Sequence, residues 1–152
     1  MYLVECFSDE NLLRGLGIPG KSIRRMRGKG NVLNFVMKRS EVPCVALLDR
    51  DRNESQPKDL TLFRLEKLDH GVERYTWSGH TLVMLDDNLE DWLVRATKLA
   101  GANMLDFKLP ATAAELHRIE PKVGDERMLK LVRHLAEKRS PALAVLRAAL
   151  GL

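Results

Sequence analysis

Residues 42–48 read Val-Pro-Cys-Val-Ala-Leu-Leu and run straight into Asp49-Arg50-Asp51. A strand that is apolar at both alternations has no polar face to offer water. It has to be covered on both sides, as a strand inside a parallel sheet is. The rest of the chain must then supply crossover helices, and the pattern does so. Tyr2-Leu3-Val4-Glu5-Cys6 reads as a first strand ending on a carboxylate. Ser8 is the expected N-cap of a helix with Asp9 and Glu10 in its first turn and Leu12, Leu13 and Leu16 as its stripe. Gly17, Pro19 and Gly20 stop that helix. Ile23 and Met26 fall in a second, basic strand, and Asn31 is expected to cap a second helix burying Val32, Phe35 and Val36. The β-α-β-α-β order predicts parallel strands joined by right-handed crossovers.

Downstream, residues 52–59 read as a polar loop and 60–68 as a short helix. His80 to Leu85 is a fourth strand, closed by Asp86-Asp87-Asn88. A helix over 89–100 then places Leu89, Trp92, Leu93 and Ala96 at core spacing. After Pro110 the strand signal ends, and helices are expected over 111–119, 125–138 and 141–150. The fold class predicted is α/β: a mostly parallel four-stranded sheet with helices on both faces, and a C-terminal helical extension. Residues 1–105 form the core, and 106–152 pack on it, because a piece of that size rarely folds alone.

Composition excludes several classes. Cys6 and Cys44 are the only cysteines, so neither a disulfide framework nor a four-cysteine zinc site is available. His70, His80, His117 and His134 include no i,i+4 pair, which speaks against a helical zinc motif. No apolar run approaches membrane-spanning length, no signal-peptide pattern opens the chain, and a reducing cytoplasm is the expected location. The net charge of +4 says little by itself, but the charges are unevenly placed. Residues 21–29 (KSIRRMRGK) hold five cations and no acid, whereas 86–91 (DDNLED) hold four acids and no cation.

Three acidic groups fall at predicted strand ends: Glu5, Asp49 with Asp51, and Asp86/Asp87 with Glu90 just inside the next helix. Ligands of open α/β sheets bind in the crevice beyond those ends. On an extended segment both carboxylates of an Asp-x-Asp point the same way, and two like charges so placed call for a cation between them. Oxygen-only donors suit Mg²⁺ or Mn²⁺. Lys29, between two glycines at a helix entrance, is placed to meet a phosphate. Arg25 and Arg27, on one face of the basic strand, are placed to contact a nucleic-acid backbone. The plainer alternatives are turn-forming aspartates and a charged edge strand that resists aggregation.

The order Val4-Glu5-x-x-x-Asp9-x-x-x-Leu13, a helix, a basic strand and then Leu47-Leu48-Asp49-x-Asp51 resembles the TOPRIM domain. That domain is shared by topoisomerases, primases, ribonuclease-type maturases and the overcoming-lysogenization-defect nucleases. Arg27-Gly28-Lys29-Gly30-Asn31-Val32 is similar to the Gly-Lys-Asn turn of small TOPRIM-like proteins, and Asn88-Leu89-Glu90-Asp91 to the acidic motif of the nuclease branch. The resemblance spans roughly residues 2–100. It implies that Glu5 is the acid/base residue and that Asp49 and Asp51 bind metal. Asp9 takes the following acidic position, and Glu90 the acidic position of the nuclease branch. Cys6 and Glu54 stand where the family usually carries glycine.

The function expected is metal-dependent processing of nucleic-acid phosphodiesters through Glu5 and the Asp49/Asp51 pair, with Mg²⁺ or Mn²⁺ as cofactor. Nucleic acid is the expected partner, together with a protein that selects the substrate. The alternatives are a non-catalytic module of the same fold that binds nucleic acid or protein, and a receiver-like phosphoacceptor domain.

Overall fold

The computed structural model describes residues 1–39 and 41–152. Its strands are β1 (Tyr2–Val4), β2 (Ile23–Arg25), β3 (Val45–Asp49), β4 (Arg64–Lys67), β5 (Val72–Trp77) and β6 (His80–Leu85). Its helices are α1 (Phe7–Gly15), α2 (Lys29–Lys38), α3 (Leu89–Leu99), α4 (Ala113–His117), α5 (Glu126–Glu137) and α6 (Pro141–Ala149). The strands form one mixed sheet in the order β2-β1-β3-β6-β5-β4. β1, β2, β3 and β6 run parallel, while β5 is antiparallel to both β6 and β4.

The sheet is therefore six-stranded and not four-stranded. The helix expected over 60–68 is instead a 3-10 turn at Lys58–Leu62 followed by β4. β4 and β5 escape detection because they carry charges on both alternations, Arg64-Leu65-Glu66-Lys67 and Val72-Glu73-Arg74-Tyr75. They are recruited by pairing onto β6, not by their own apolar pattern. No described helix is long and apolar enough to cross a membrane.

Alternation along the strands sorts the core into two layers. Val4, Leu47, Val83 and Leu85 face α1, α3, α5 and α6, joining Leu12, Trp92, Leu131 and Leu146 in one cluster. Leu3, Ala46, Leu48 and Met84 face the other way, onto Val32, Leu33 and Val36 of α2 and onto Leu60 and Phe63. β3 is buried on both faces, as its composition requires.

The C-terminal helices belong to the first layer. In α5, Met128, Leu131, Val132 and Leu135 recur at helical spacing and bury against α1. The approach is close: a Cβ added to Gly15 would lie 2.6 Å from the Cβ of Val132. A polar clamp fixes the segment between α4 and α5. The fully buried Asn11 donates from Nδ2 to the Lys122 carbonyl at 2.7 Å and accepts at Oδ1 from the Gly124 N–H at 2.7 Å. Asn11→Ala leaves both backbone groups short of partners and opens a small void. We expect a loss of about 1–3 kcal/mol in denaturant unfolding, and Asn11→Asp is expected to fail to rescue it, since a carboxylate cannot donate to Lys122.

Candidate active site at the strand ends

The carboxyl ends of β1 and β3 lie side by side, with Val4 opposite Leu47. This pairing brings the two sequence-predicted acidic positions together. A Glu5 Oε1 accepts from the backbone N–H of Asp49 at 3.4 Å. Ser8 does not cap α1. Cys6 occupies that position, and Asp9 in the first turn reaches back so that its Oδ2 accepts from the N–H groups of Glu5 (3.2 Å) and Cys6 (3.0 Å). Asp9 is fully buried, and its other oxygen, Oδ1, has no hydrogen-bond partner among the described residues.

Asp49 is held by the next parallel unit. Its Oδ1 accepts from the N–H of Leu89 at 2.7 Å, at the start of α3, where Asn88 caps the helix by accepting from Asp91. A helix N-terminus favours a carboxylate. Here burial outweighs it, and with the neighbouring charges of Asp9, Glu90 and Asp51 raises Asp49 to about 8. Asp9 is pushed up to about 7, first by burial and then, among other causes, by the Glu5 charge. Glu5 is also raised by burial, and the nearby Lys29 ammonium counters part of that shift.

Asp51 does not extend the strand. β3 ends at Asp49, and Asp51 adopts a left-handed φ of +49°. The two carboxylates therefore do not project in parallel from an extended segment, which corrects the sequence expectation. The turn is anchored instead: Asp51 N–H donates to the Asp87 carbonyl at 2.8 Å, and Arg50 pairs with the buried Glu73 at 3.2 Å. Arg52 forks onto Asp86 with two contacts of 2.7 Å. Asp86 is thus paired with an arginine, and its carboxyl stays below the usual range through that hydrogen bond.

Two of the three predicted phosphate-binding cations, Lys29 and Arg25, have internal partners. Lys29 starts α2 behind Gly28, whose φ of +119° suits only glycine; Asn31, the expected cap, lies two residues into the helix. The Lys29 ammonium donates to the Arg50 carbonyl (3.2 Å) and to Gln56 Oε1 (3.0 Å), and stands 3.8 Å from Asp51. The Arg25 guanidinium stacks on Phe7 at 3.6 Å from the ring centre. β2 ends at Arg25, so Arg27, with φ +55°, does not share its strand face and projects from the following turn as an exposed side chain.

Glu90, the last predicted acid, is largely buried at the rim and lies 3.5 Å from Nδ1 of His117 on α4. His117 carries no sequence signal for this site. Only the fold reveals it, because α4 packs on α3 and the Asn11 clamp holds the chain just beyond. Among the described residues, no three His, Cys, Asp or Glu side chains converge closely enough to hold a metal ion by themselves. No family model, curated protein or solved structure matches this chain, so the crevice geometry alone bears on what the protein does.

Proposed function

We propose that the protein is a TOPRIM-like, metal-dependent enzyme acting on nucleic-acid phosphodiesters at the ends of β1 and β3. The observation that carries this reading is the pair of buried carboxylates, Asp9 and Asp49, with one Asp9 oxygen unpartnered: burial and the Glu5 charge disfavour ionised Asp9, and burial with the charges of Asp9, Glu90 and Asp51 disfavours ionised Asp49. A fold bears such crowding at a cost unless a cation relieves it. The donors are all oxygen. They fit a Mg²⁺ or Mn²⁺ held by one or two carboxylates, with water and phosphate oxygens completing the shell, rather than an all-protein cage. Because no three such side chains among the described residues converge by themselves, Asp49 with Asp51 or Glu90 would hold the ion, water and phosphate oxygens supplying the rest of its shell. When bound, it supplies charge neutralisation at the phosphoryl group.

The chain's own residues divide the remaining work. Glu5, raised by burial and placed against the Asp49 amide, is the group to take or return a proton. Lys29 fixes the Asp51 turn, and exposed Arg27 is available to the nucleic-acid backbone. Arg25 requires release from Phe7 to join it.

The test is cleavage of single- and double-stranded DNA and RNA with and without Mg²⁺ or Mn²⁺. Cleavage is expected only with metal, and Glu5→Gln is expected to reduce it by about 10²–10⁴-fold. Activity that survives chelation, or an unchanged Glu5→Gln, overturns the proposal. The Lys29–Asp51 pair, already neutralised within the fold, favours one other reading: a non-catalytic module. That reading predicts metal-independent nucleic-acid binding with no turnover on any substrate.

A further inference from the structure

β4 closes one side of the sheet, and all four of its residues are exposed. Its outer backbone edge pairs with no strand among the described residues. Charged edge residues normally guard against pairing, yet here they alternate in a way that suits a second copy of the same strand. We propose that β4 is a homodimer interface, pairing antiparallel with β4 of a second chain about a two-fold axis at Leu65.

The register follows from strand geometry. In an antiparallel pair, facing residues point to the same side of the sheet, so a two-fold normal to the sheet must pass through a residue and its own copy. An axis at Arg64, Glu66 or Lys67 sets a charge against itself, and like charges directly opposite destabilise. An axis at Leu65 sets Leu65 against its copy and Arg64 against Glu66 in both directions. Within the chain, Leu65 lies opposite Tyr75 and Glu66 opposite Arg74. The Arg74–Glu66 pair measures 2.6 Å.

Joining two copies therefore extends both faces coherently. One gains a row running Tyr75, Leu65, Leu65, Tyr75. The other gains rows in which Glu66 stands between Arg74 of its own chain and Arg64 of the second. Leu65 and nearby Leu62 are among the most exposed apolar side chains, at 44% and 60%. A shallow groove beside them, whose apolar lining is Pro57, Leu60, Phe63, Leu65 and Tyr75 and whose polar lining includes Arg50, Gln56 and Lys58, adds surface for the second copy to cover. The β4 pairing uses none of the crevice carboxylates, so the inference is independent of the enzymatic reading, although the groove reaches Arg50 and Gln56 beside Lys29.

Sedimentation equilibrium across a concentration series tests it. The full chain is expected to approach twice its 17.3 kDa mass as concentration rises. Leu65→Lys, Arg64→Glu and Glu66→Arg are each expected to weaken association by roughly tenfold or more, since each places like charges opposite one another. Circular dichroism and melting should show each variant folded. Mixing the Arg64→Glu and Glu66→Arg chains restores association, because each reversed side chain then meets its complement. A wild-type chain that stays monomeric, or a dimer that none of the three substitutions weakens, overturns the interface. Variants that fail to re-associate on mixing overturn the Leu65-centred register.

Discussion

Asp49→Asn is expected to lower metal-dependent cleavage by on the order of 10³-fold or more, the scale of losing a central catalytic group. The same substitution is expected to make the metal-free protein more stable near neutral pH. The opposite signs follow from what the side chain does in the fold. Its Oδ1 accepts from the Leu89 N–H at 2.7 Å, and an asparagine oxygen can keep that bond at the start of α3. What the substitution removes is a carboxyl whose pKa is raised to about 8 by desolvation and by Asp9, Glu90 and Asp51, and which must therefore take up a proton when the chain folds near neutral pH. The gain at pH 7.5 is several kcal/mol, on the scale of ~1.4 kcal/mol for each pH unit above the unfolded pKa. Asp49→Ala, by contrast, also deletes the acceptor for Leu89 and is expected to lose activity and stability together. Urea unfolding and cleavage measured on both variants separate the roles. An Asp49→Asn protein less stable than wild type would show the carboxylate to be scaffolding, and the reading of the site would fall with it.

How much of this was legible in the sequence depends on what each element was made of. β3 could be read because a strand buried on both faces writes its burial into every residue. The helices that carry Leu12, Val32 and Trp92 could be read because one face of each is apolar. β4 could not, since it is exposed at every residue and exists only through pairing with β5. The site shows the same division. Glu5, Asp9 and Asp49 are positioned by strand ends and a helix start, local features with local signals, and they do come together. Asp51 is turned by a left-handed backbone, which aspartate tolerates and the turn-forming alternative allows, but which the Asp-x-Asp spacing by itself does not select. Lys29 and Arg25 were read as free cations because their partners, Gln56 and Phe7, are matched by tertiary packing and not by spacing. His117 meets Glu90 across 27 residues of chain, and nothing along the sequence links the two.

The acidic crowding has a second consequence, measurable without any substrate. The metal-free protein is expected to melt higher at pH 5.5 than at pH 8, the reverse of ordinary acid lability. Asp9 is pushed up to about 7 and Asp49 to about 8, both from about 3.8. For a folded-state pKa raised above the unfolded value, the stabilisation is full below the unfolded pKa. It is lost progressively as pH rises from the unfolded value through the folded one, here from about pH 4 to about pH 8, so the whole span from pH 5.5 to 8 lies on the falling limb. The carboxylates with lowered pKa, Asp86 beside Arg52 and Asp125 beside Arg127, lose their contribution only below the ordinary carboxylate range, outside this window. At ~1.4 kcal/mol per unit and ~2–4 °C per kcal/mol for a chain of this size, the melting temperature should differ by about 10 °C or more. Asp9→Asn keeps an oxygen for the Glu5 and Cys6 amides, removes the charge and flattens the profile. Mg²⁺ or Mn²⁺ should stabilise wild type more at pH 8, where the carboxylates are ionised, than at pH 5.5, and should stabilise Asp9→Asn less. A melting temperature that falls on acidification to pH 5.5, or an Asp9→Asn profile as steep as wild type, would mean that these carboxylates are not crowded in solution and that no cation is called for.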